Sequence, residues 1–345
     1  MINMNNVIKT ILLGAVGPLT THTIAAQETT TQSKYIPEFH GTVRAKYEYE
    51  PTIRKGRFEV RNARLSAEGM IVPLVRYKAE IDLSDEGQIR MLDAYLRLHP
   101  MNRLRLTFGQ MRVPFGIDAH RSPHSQYFAN RSFMAKQVGD VRDVGAAAAW
   151  TFGKQWPVTL EAGIFNGSGL TNQKHYWTRD YNFSFKATAV PSRTVILSAS
   201  CQKARAGDVN TILYDAGMYW EYGQWHIEAE YLRKHYVPHS FHPVNAVNAF
   251  AAYRLPLKKA FTALTFLGRY DYMTDQSNGV KDDNGVLTVS NPERHRMTAG
   301  LTLSLSKKAL QADIRMNYEQ YFYHKGVTPS TSEQNKFVIE VVTHF

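Results

Sequence analysis

The sequence predicts an all-β fold, a 16-stranded antiparallel transmembrane β-barrel with long extracellular loops. Three observations predict it. Apolar residues recur at every second position over most of the chain, the connections between these segments alternate between short and long, and the last segment is strand-like and ends on Phe345. Outer-membrane barrels combine an even number of strands, short periplasmic turns, long extracellular loops and an apolar outer face.

Composition excludes several other classes of protein. Aromatic side chains make up 12% of the 345 residues, which argues against a disordered chain. The single cysteine, Cys201, excludes an intrachain disulfide and any multi-cysteine metal site. The longest apolar run, residues 11–19, is shorter than the ~20 residues that a membrane-spanning helix needs. The chain is therefore predicted not to be a helical membrane protein.

The alternation of apolar and polar residues defines the predicted strands. In the clearest case Leu310, Ala312 and Ile314 alternate with Gln311 and Asp313, so the two sets lie on opposite faces of one strand. The same pattern predicts sixteen strands, at residues 39–49, 58–71, 74–83, 89–99, 103–111, 143–152, 158–166, 181–189, 194–203, 212–222, 225–235, 247–254, 262–272, 295–305, 309–321 and 336–345. Closure of the sheet into a barrel leaves no strand edge unpaired in lipid. The apolar face of each strand is predicted to face lipid, and the polar face is predicted to line an aqueous lumen.

The connections between strands carry independent information. After even-numbered strands they are a few residues long, whereas after odd-numbered strands the predicted loops are mostly longer: 112–142, 167–180, 204–211, 236–246, 273–294 and 322–335. Aromatic residues cluster at short turns, where an interfacial girdle is expected: Trp150, Trp156, Trp220, Tyr222 and Trp225. The terminal Phe345 resembles the signal by which bacterial outer-membrane barrels are recognised for assembly. These features predict the bacterial outer membrane as the location.

The N-terminal segment has the features of an export signal. Lys9 supplies a positive charge, residues 11–19 form a short apolar core, and Ala25-Ala26 is a cleavage candidate. We predict a signal peptide at residues 1–26, a polar linker at 27–38 and the barrel at 39–345.

Positive charge is concentrated in the first part of the barrel. Residues 40–142 contain 18 basic and 11 acidic side chains and supply +7 of the formal net charge of +11. The basic side chains on the predicted lumen face of the first five strands include Arg44, Lys46, Arg64, Arg76, Lys78, Arg97, Arg103 and Arg105. Acidic residues share this face, so a charge-neutral solvated wall stays open as an alternative. We predict anion selectivity, because wall charge acts throughout a pore narrower than the Debye length of about 8 Å.

Five blocks of sequence resemble the phosphate-selective porin O and P family. They are Arg61-Asn62-Ala63-Arg64-Leu65 with Glu68-Gly69, Asp93-Ala94-Tyr95-Leu96, Phe108-Gly109-Gln110, Val113-Pro114-Phe115-Gly116 and Arg142-Asp143-Val144-Gly145. The resemblance covers roughly residues 39–170. It implies a trimeric 16-stranded barrel whose third extracellular loop, here residues 112–142, folds inward, and arginines that draw phosphate or polyphosphate through the pore.

Residue by residue, the lumen charges and the resemblance together predict an anion pathway. Its members are Arg44, Arg61, Arg64, Arg97, Arg105, Arg121 and Arg131. Asp93 is predicted to be an acidic partner in the lumen. Pro123 and Asn130 depart from the family, which usually carries a serine and a glutamate at these two places.

The predicted function is that of a passive channel that needs no cofactor or metal and catalyses no reaction. The expected partners are small anionic solutes such as phosphate, the outer-membrane lipid and further copies of the chain, without nucleic acid. Two alternatives stay open. One is a surface adhesin or receptor that binds through loops 167–180 and 273–294, and the other is an outer-membrane lipid hydrolase built on a pair such as Ser200 and His226. The sequence does not specify the physiological solute.

Two groups of histidines are candidates for metal ligands. His120 and His124 are four residues apart, but Pro123 breaks the helix that this spacing requires. The second group consists of His235, His239 and His242. Loop histidines without a metal are the prediction for the first group, and a solvated, pH-sensitive loop is the prediction for the second.

Overall fold

The computed structural model describes residues 35–85, 88–137, 142–171, 173–207, 209–258, 260–307 and 310–345. The predicted signal peptide at 1–26 and most of the linker at 27–38 lie outside these ranges. Helix is scarce in the described part of the chain: one α-helix, α1 (Phe133–Gln137), and a few single 3-10 turns occur there. None of these helices is long and apolar enough to cross a membrane.

Sixteen antiparallel strands form a closed barrel in which each strand pairs with its neighbours in sequence and β1 pairs with β16. The strands are β1 (Glu38–Glu50), β2 (Lys55–Val72), β3 (Val75–Asp85), β4 (Gln88–Met101), β5 (Leu104–Arg112), β6 (Arg142–Phe152), β7 (Val158–Phe165), β8 (Asn182–Ala189), β9 (Val195–Ala206), β10 (Val209–Tyr222), β11 (Trp225–Val237), β12 (Val244–Pro256), β13 (Ala263–Met273), β14 (Arg294–Lys307), β15 (Leu310–Tyr323) and β16 (Lys336–His344). The predicted fold class and all sixteen predicted strands are confirmed.

The last strand seals the barrel against the first. Thr42 on β1 lies opposite His344 on β16, and the backbones of Gly41 and Phe345 exchange hydrogen bonds of 2.9 and 3.1 Å. Closure therefore pairs both ends of the sheet and leaves no exposed edge at this seam.

The barrel is polar inside and apolar outside. On β16 the buried Lys336 and Glu340 alternate with the exposed Phe337, Ile339 and Val341. Buried charged residues in the other strands occupy the same inward positions, because successive side chains of a strand point to opposite faces. This arrangement is the one that lipid outside and water inside impose.

The connections differ from the predicted loops at two places. The loop predicted at 204–211 is a tight hairpin, because β9 continues to Ala206 and β10 begins at Val209. The loop predicted at 236–246 is shortened to residues 238–243. Ladder hydrogen bonds continue these strands beyond the bilayer, where side chains no longer need to be apolar, and apolar alternation therefore underestimates strand length.

Apolar packing occurs inside the barrel as well as on its surface. The third extracellular loop, L3 (residues 113–141), contributes side chains to a buried cluster against the inner face of β10–β13. The cluster consists of Phe115, Phe133, Met134, Val209, Leu213, Leu232, Tyr236, Val244, Ala246, Met273, Leu287 and Tyr321. One side of the lumen is therefore filled by packed side chains.

Candidate functional site

L3 turns into the lumen at Gly116. This glycine has a positive φ of 68°, and a side chain there would meet Glu230 Oε1 at 3.0 Å. Its backbone N–H donates to Ser200 Oγ on β9 at 3.0 Å. The next two backbone N–H groups, of Ile117 and Asp118, donate to the Glu230 carboxylate on β11 at 2.5 and 3.1 Å. The start of the loop is thus tied to the inner face of β9 and β11.

The far part of L3 is tied to the opposite side of the barrel by arginine side chains. Arg44 on β1 donates to Gln126 Oε1 at 2.7 Å and to the Ala129 carbonyl at 2.8 Å. Arg315 on β15 donates to the His124 carbonyl at 2.7 Å. Two more arginines do the same on β13 and β14: Arg269 bonds the Asn130 carbonyl at 2.9 Å and Arg296 the Arg131 carbonyl at 2.7 Å. L3 therefore crosses the lumen between two walls.

A buried charge network fixes the middle of L3. Arg121 lies 2.8 Å from Asp118 and 2.5 Å from Glu228 on β11. Burial favours a higher pKa for Asp118, but the Arg121 guanidinium and the Ser132 hydroxyl hold it below its usual value. Burial favours a lower pKa for Arg121, yet the carboxylates of Glu228 and Asp118 raise it. Each group therefore stabilises the ionised form of the other in this buried site.

Three of the predicted pathway arginines are occupied in holding the loop or lie within it. Arg44 is 2% exposed and its guanidinium is 2.6 Å from Glu340. Arg121 lies in the network just described. Arg131 borders a small cavity beside Tyr127 and Phe250. The structure places these three side chains at the anchorage of L3.

Two other predicted residues lie in a paired network on the first strands. Arg64 Nε is 2.9 Å from Asp82, and its Nη1 is 3.4 Å from Glu80. Asp93 lies 2.7 Å from Arg142. The Asp93–Arg142 pair joins two of the sequence blocks that carry the family resemblance.

The remaining predicted arginines lie along β2–β5. Arg61 is the extra residue of a β-bulge opposite Arg44 and Ala45, and its side chain is 40% exposed and lies 3.4 Å from Glu59. Arg97 lies opposite Arg76 in the β3–β4 register and donates to Thr107 at 3.2 Å.

Arg105 lies near Arg97 on the same wall and pairs with Glu161 at 2.7 Å. Arg76, Arg97 and Arg105 thus form a basic row on the inner face of β3–β5, toward the periplasmic end.

Sequence reasoning missed the anchors of L3 on the last strands. Arg269, Arg296 and Arg315 are buried on β13–β15. Their buried acidic partners are Asp271, Glu319 and Glu340. The sequence contains a pattern that predicts their inward orientation, because these residues alternate with apolar residues along their strands.

A glycine in one of the family-like blocks has a geometric role. Gly109 has a φ of 124°, and an added Cβ would lie 2.3 Å from the Ala94 carbonyl oxygen. The Phe108-Gly109-Gln110 and Asp93-Ala94-Tyr95 blocks therefore meet where β4 and β5 approach closely.

The pair considered for a lipid hydrolase does not meet. Ser200 lies opposite Asp215 on β10, whereas His226 lies opposite Glu221, six residues or ~20 Å further along the same strand. Both side chains point inward, where the hydrogen bonds of Ser200 go to L3 and to Asp215.

One group with ligand-type atoms within 4.8 Å of one another occurs among the described residues: Glu38, His40 and Glu68. Glu38 is exposed, and the His40–Glu68 distance of 3.6 Å is that of an ion pair.

Acidification is expected to loosen L3. Burial, aided by nearby positive groups, lowers the pKa of His120 and of His124 to about 3. Because the folded-state pKa lies below the unfolded value of about 6.5, both neutral rings stabilise the seated loop above that pH, and this stabilisation is lost as the pH falls toward 3. Single-channel current noise should therefore rise between pH 7 and pH 4.

A variant with both histidines replaced, H120Q/H124Q, should show a weaker pH dependence, and H239Q in an exposed loop should behave as the unmodified protein does. Identical pH profiles for all three proteins would contradict this expectation.

Comparison with known proteins agrees with this architecture. The outer membrane channel DcaP of Acinetobacter baumannii superposes with a TM-score of 0.62 at 14% identity, over 93% of this chain and 100% of that one. An anion-selective porin from Comamonas acidovorans gives 0.58 at 10% identity, over 90% and 98% of the two chains. The trimer form of OmpT, an outer membrane protein of Vibrio cholerae, gives 0.59 at 11% identity, over 90% and 98%. These likenesses concern the fold.

The protein is a β-barrel of the bacterial outer membrane with the fold of a porin-type channel. Over residues 38–206 the chain matches the family model of phosphate-selective porins O and P, which confirms the resemblance predicted from the sequence blocks. No curated protein matches the sequence.

Proposed function

We propose that the protein is a passive, anion-selective channel that prefers phosphate or polyphosphate and works as a homotrimer. The basic row of Arg76, Arg97 and Arg105 carries this proposal. Three permanently charged guanidinium groups lie together on the lumen wall, and one of them, that of Arg105, pairs with Glu161. Arginine presents a planar fork of donors that matches phosphate oxygens, and several weak sites in series let an ion leave again.

The position of L3 supports a role for this wall. Packed side chains occupy the lumen next to β10–β13, whereas the Arg61 side chain on β2 is 40% exposed. We therefore propose that solutes pass along β2–β5. A solute that crosses the barrel passes close to Arg61 first and to the basic row afterwards. The trimer is supported by the family and by the trimer form of OmpT from Vibrio cholerae.

Bilayer electrophysiology tests the proposal. Under a potassium chloride gradient, the purified protein should give a zero-current potential whose sign indicates that chloride permeates better than potassium. Added phosphate should block the chloride current in a saturable manner. In R76Q/R97Q/R105Q the anion-to-cation permeability ratio should fall by about twofold or more and the block should weaken, since the wall charge is lost.

The matched control removes three positive charges from the outer surface instead, in K203Q/R205Q/R233Q, and should keep the selectivity of the unmodified channel. Cation selectivity of the unmodified protein, or equal selectivity in both triple variants, would overturn the anion assignment. Anion selectivity without phosphate block would reject the phosphate preference. A complete lack of conductance would favour the receptor alternative.

A further inference from the structure

The outer face of the barrel carries very few charged side chains, and they are grouped. Among the strand residues whose side chains are described, the outward positions with a permanent charge are Lys203 and Arg205 on β9 and Arg233 on β11. All three are cations, and all lie at the extracellular ends of their strands. We call these three side chains the outward basic patch.

The side chains of the patch retain unused donors. Arg205 is exposed, and like Lys203 it interacts electrostatically with the Asp180 carboxylate. Arg233 donates through Nε to His235 at 3.1 Å, which leaves its two terminal nitrogens available. Lys203 contacts Asp180, whose other oxygen accepts from Asn210 at 2.9 Å. The patch therefore has more cationic donors than the neighbouring acidic groups in the described part of the chain can satisfy.

Aromatic residues lie directly below the patch. Tyr214 is opposite Arg233 in the β10–β11 register, and Tyr231 is two residues further into the membrane on β11. Both rings are exposed on the outer face, at 52% and 41%. Such rings occupy the boundary between the apolar band and the headgroup region. The outward basic patch therefore lies at the headgroup level of the outer leaflet.

The loop above the patch adds further groups of the same kind. Lys174 and Arg179 are exposed, and the Trp177 ring is 94% exposed between them. The loop is joined to the patch through the contact of Asp180 with Lys203. A ligand on the outward basic patch would thus meet cations from the strand wall and from the loop.

We propose that the outward basic patch binds lipopolysaccharide of the outer leaflet through the phosphate groups of its lipid A. The outer leaflet of a bacterial outer membrane is built from this glycolipid, whose phosphates lie at the headgroup level and whose acyl chains face apolar barrel surface. Arg205 and Arg233 supply guanidinium donors to phosphate, and Tyr214 and Tyr231 pack against the lipid below. The proposal depends on the outer-membrane location and is independent of which solute passes through the lumen.

Lipid binding to the refolded, lipopolysaccharide-free full-length barrel in detergent tests the proposal. Native mass spectrometry should show bound bisphosphorylated lipid A, and the same lipid should raise the unfolding temperature. In K203Q/R205Q/R233Q the apparent affinity should fall by about tenfold, because charge-assisted bonds to phosphate are removed. Lipid A without phosphates and phosphatidylglycerol should bind the unmodified barrel more weakly than bisphosphorylated lipid A does.

The matched control is K154Q/R193Q/K258Q, which removes three exposed cations from the periplasmic turns and should bind lipid A normally. R205Q alone keeps the test valid if the triple variant does not fold, as judged by its electrophoretic mobility with and without heating. Equal binding by the patch variant and the unmodified barrel overturns the proposal, as does equal binding of lipid A with and without phosphates. Equal binding of phosphatidylglycerol overturns the assignment to lipopolysaccharide.

Discussion

Replacement of Arg296 by methionine is expected to lower the unfolding temperature of the barrel and to release L3. The guanidinium lies 2.8 Å from Asp271 and 3.3 Å from Glu319, and it donates to the Arg131 carbonyl at 2.7 Å. Both carboxylates are 0% exposed, and removing one partner of such a buried group costs about 3–5 kcal/mol. Thermal unfolding in detergent, followed by circular dichroism, measures the loss.

Methionine fills much of the arginine volume. A lower unfolding temperature of R296M would therefore result from the missing charge and not from a cavity. The control is R193M, which removes an exposed arginine from a periplasmic turn and should leave the unfolding temperature unchanged. If R296M unfolds at the same temperature as the unmodified protein, the role assigned to Arg296 is wrong. Arg269, which lies 2.8 Å from Asp271, would then suffice to balance the negative charges of Asp271 and Glu319.

Shortening L3 is expected to raise the single-channel conductance several-fold. The change replaces residues 119–135 by a flexible Gly-Ser linker of about six residues. The loop has hydrogen bonds to β9 and β11 at one end and to β13–β15 and β1 at the other, so it obstructs the lumen across its width. Its removal also deletes apolar side chains that fill the space beside β10–β13. Conductance in a planar bilayer measures the effect.

A matched loop change provides the control. The extracellular turn at residues 282–285 is exposed and its hydrogen bonds are local, so replacing it with a shorter turn should leave conductance unchanged. Insertion of both variants is verified by the mobility shift that folded barrels show on heating. Unaltered conductance after L3 shortening would mean that solutes cross the barrel by a route that L3 does not narrow.

The fold was predictable because one physical rule governs every strand. Lipid outside and water inside force a two-residue period, and the period is visible at segments such as 310–319 without any knowledge of contacts. Strand residues outside the bilayer need not alternate between apolar and polar. Val209, Asn210 and Thr211 were therefore predicted to be loop, although the ladder continues through them to β9.

The site was predictable only in part, because charge and face do not specify partners. Sequence reasoning placed Arg44 and Arg105 correctly on the inner wall. It gave no means of distinguishing Arg44, which is 2% exposed against Glu340 and L3, from Arg61, which is 40% exposed. That difference depends on where the loop lies, and loop position results from long-range contacts such as Lys136 with Glu333, 197 positions apart.

The anchorage of L3 has a consequence for the order in which the molecule assembles. The tip of the loop is bound by Arg44 and Arg315, and both of these side chains are oriented by Glu340 on the last strand. Residues 44 and 340 are separated by 296 positions, so this support does not exist until the chain is complete and the seam has formed. L3 is therefore the last part of the interior to become rigid. In a barrel whose β1 and β16 have not yet paired, L3 is not held in place by Arg44 and Arg315.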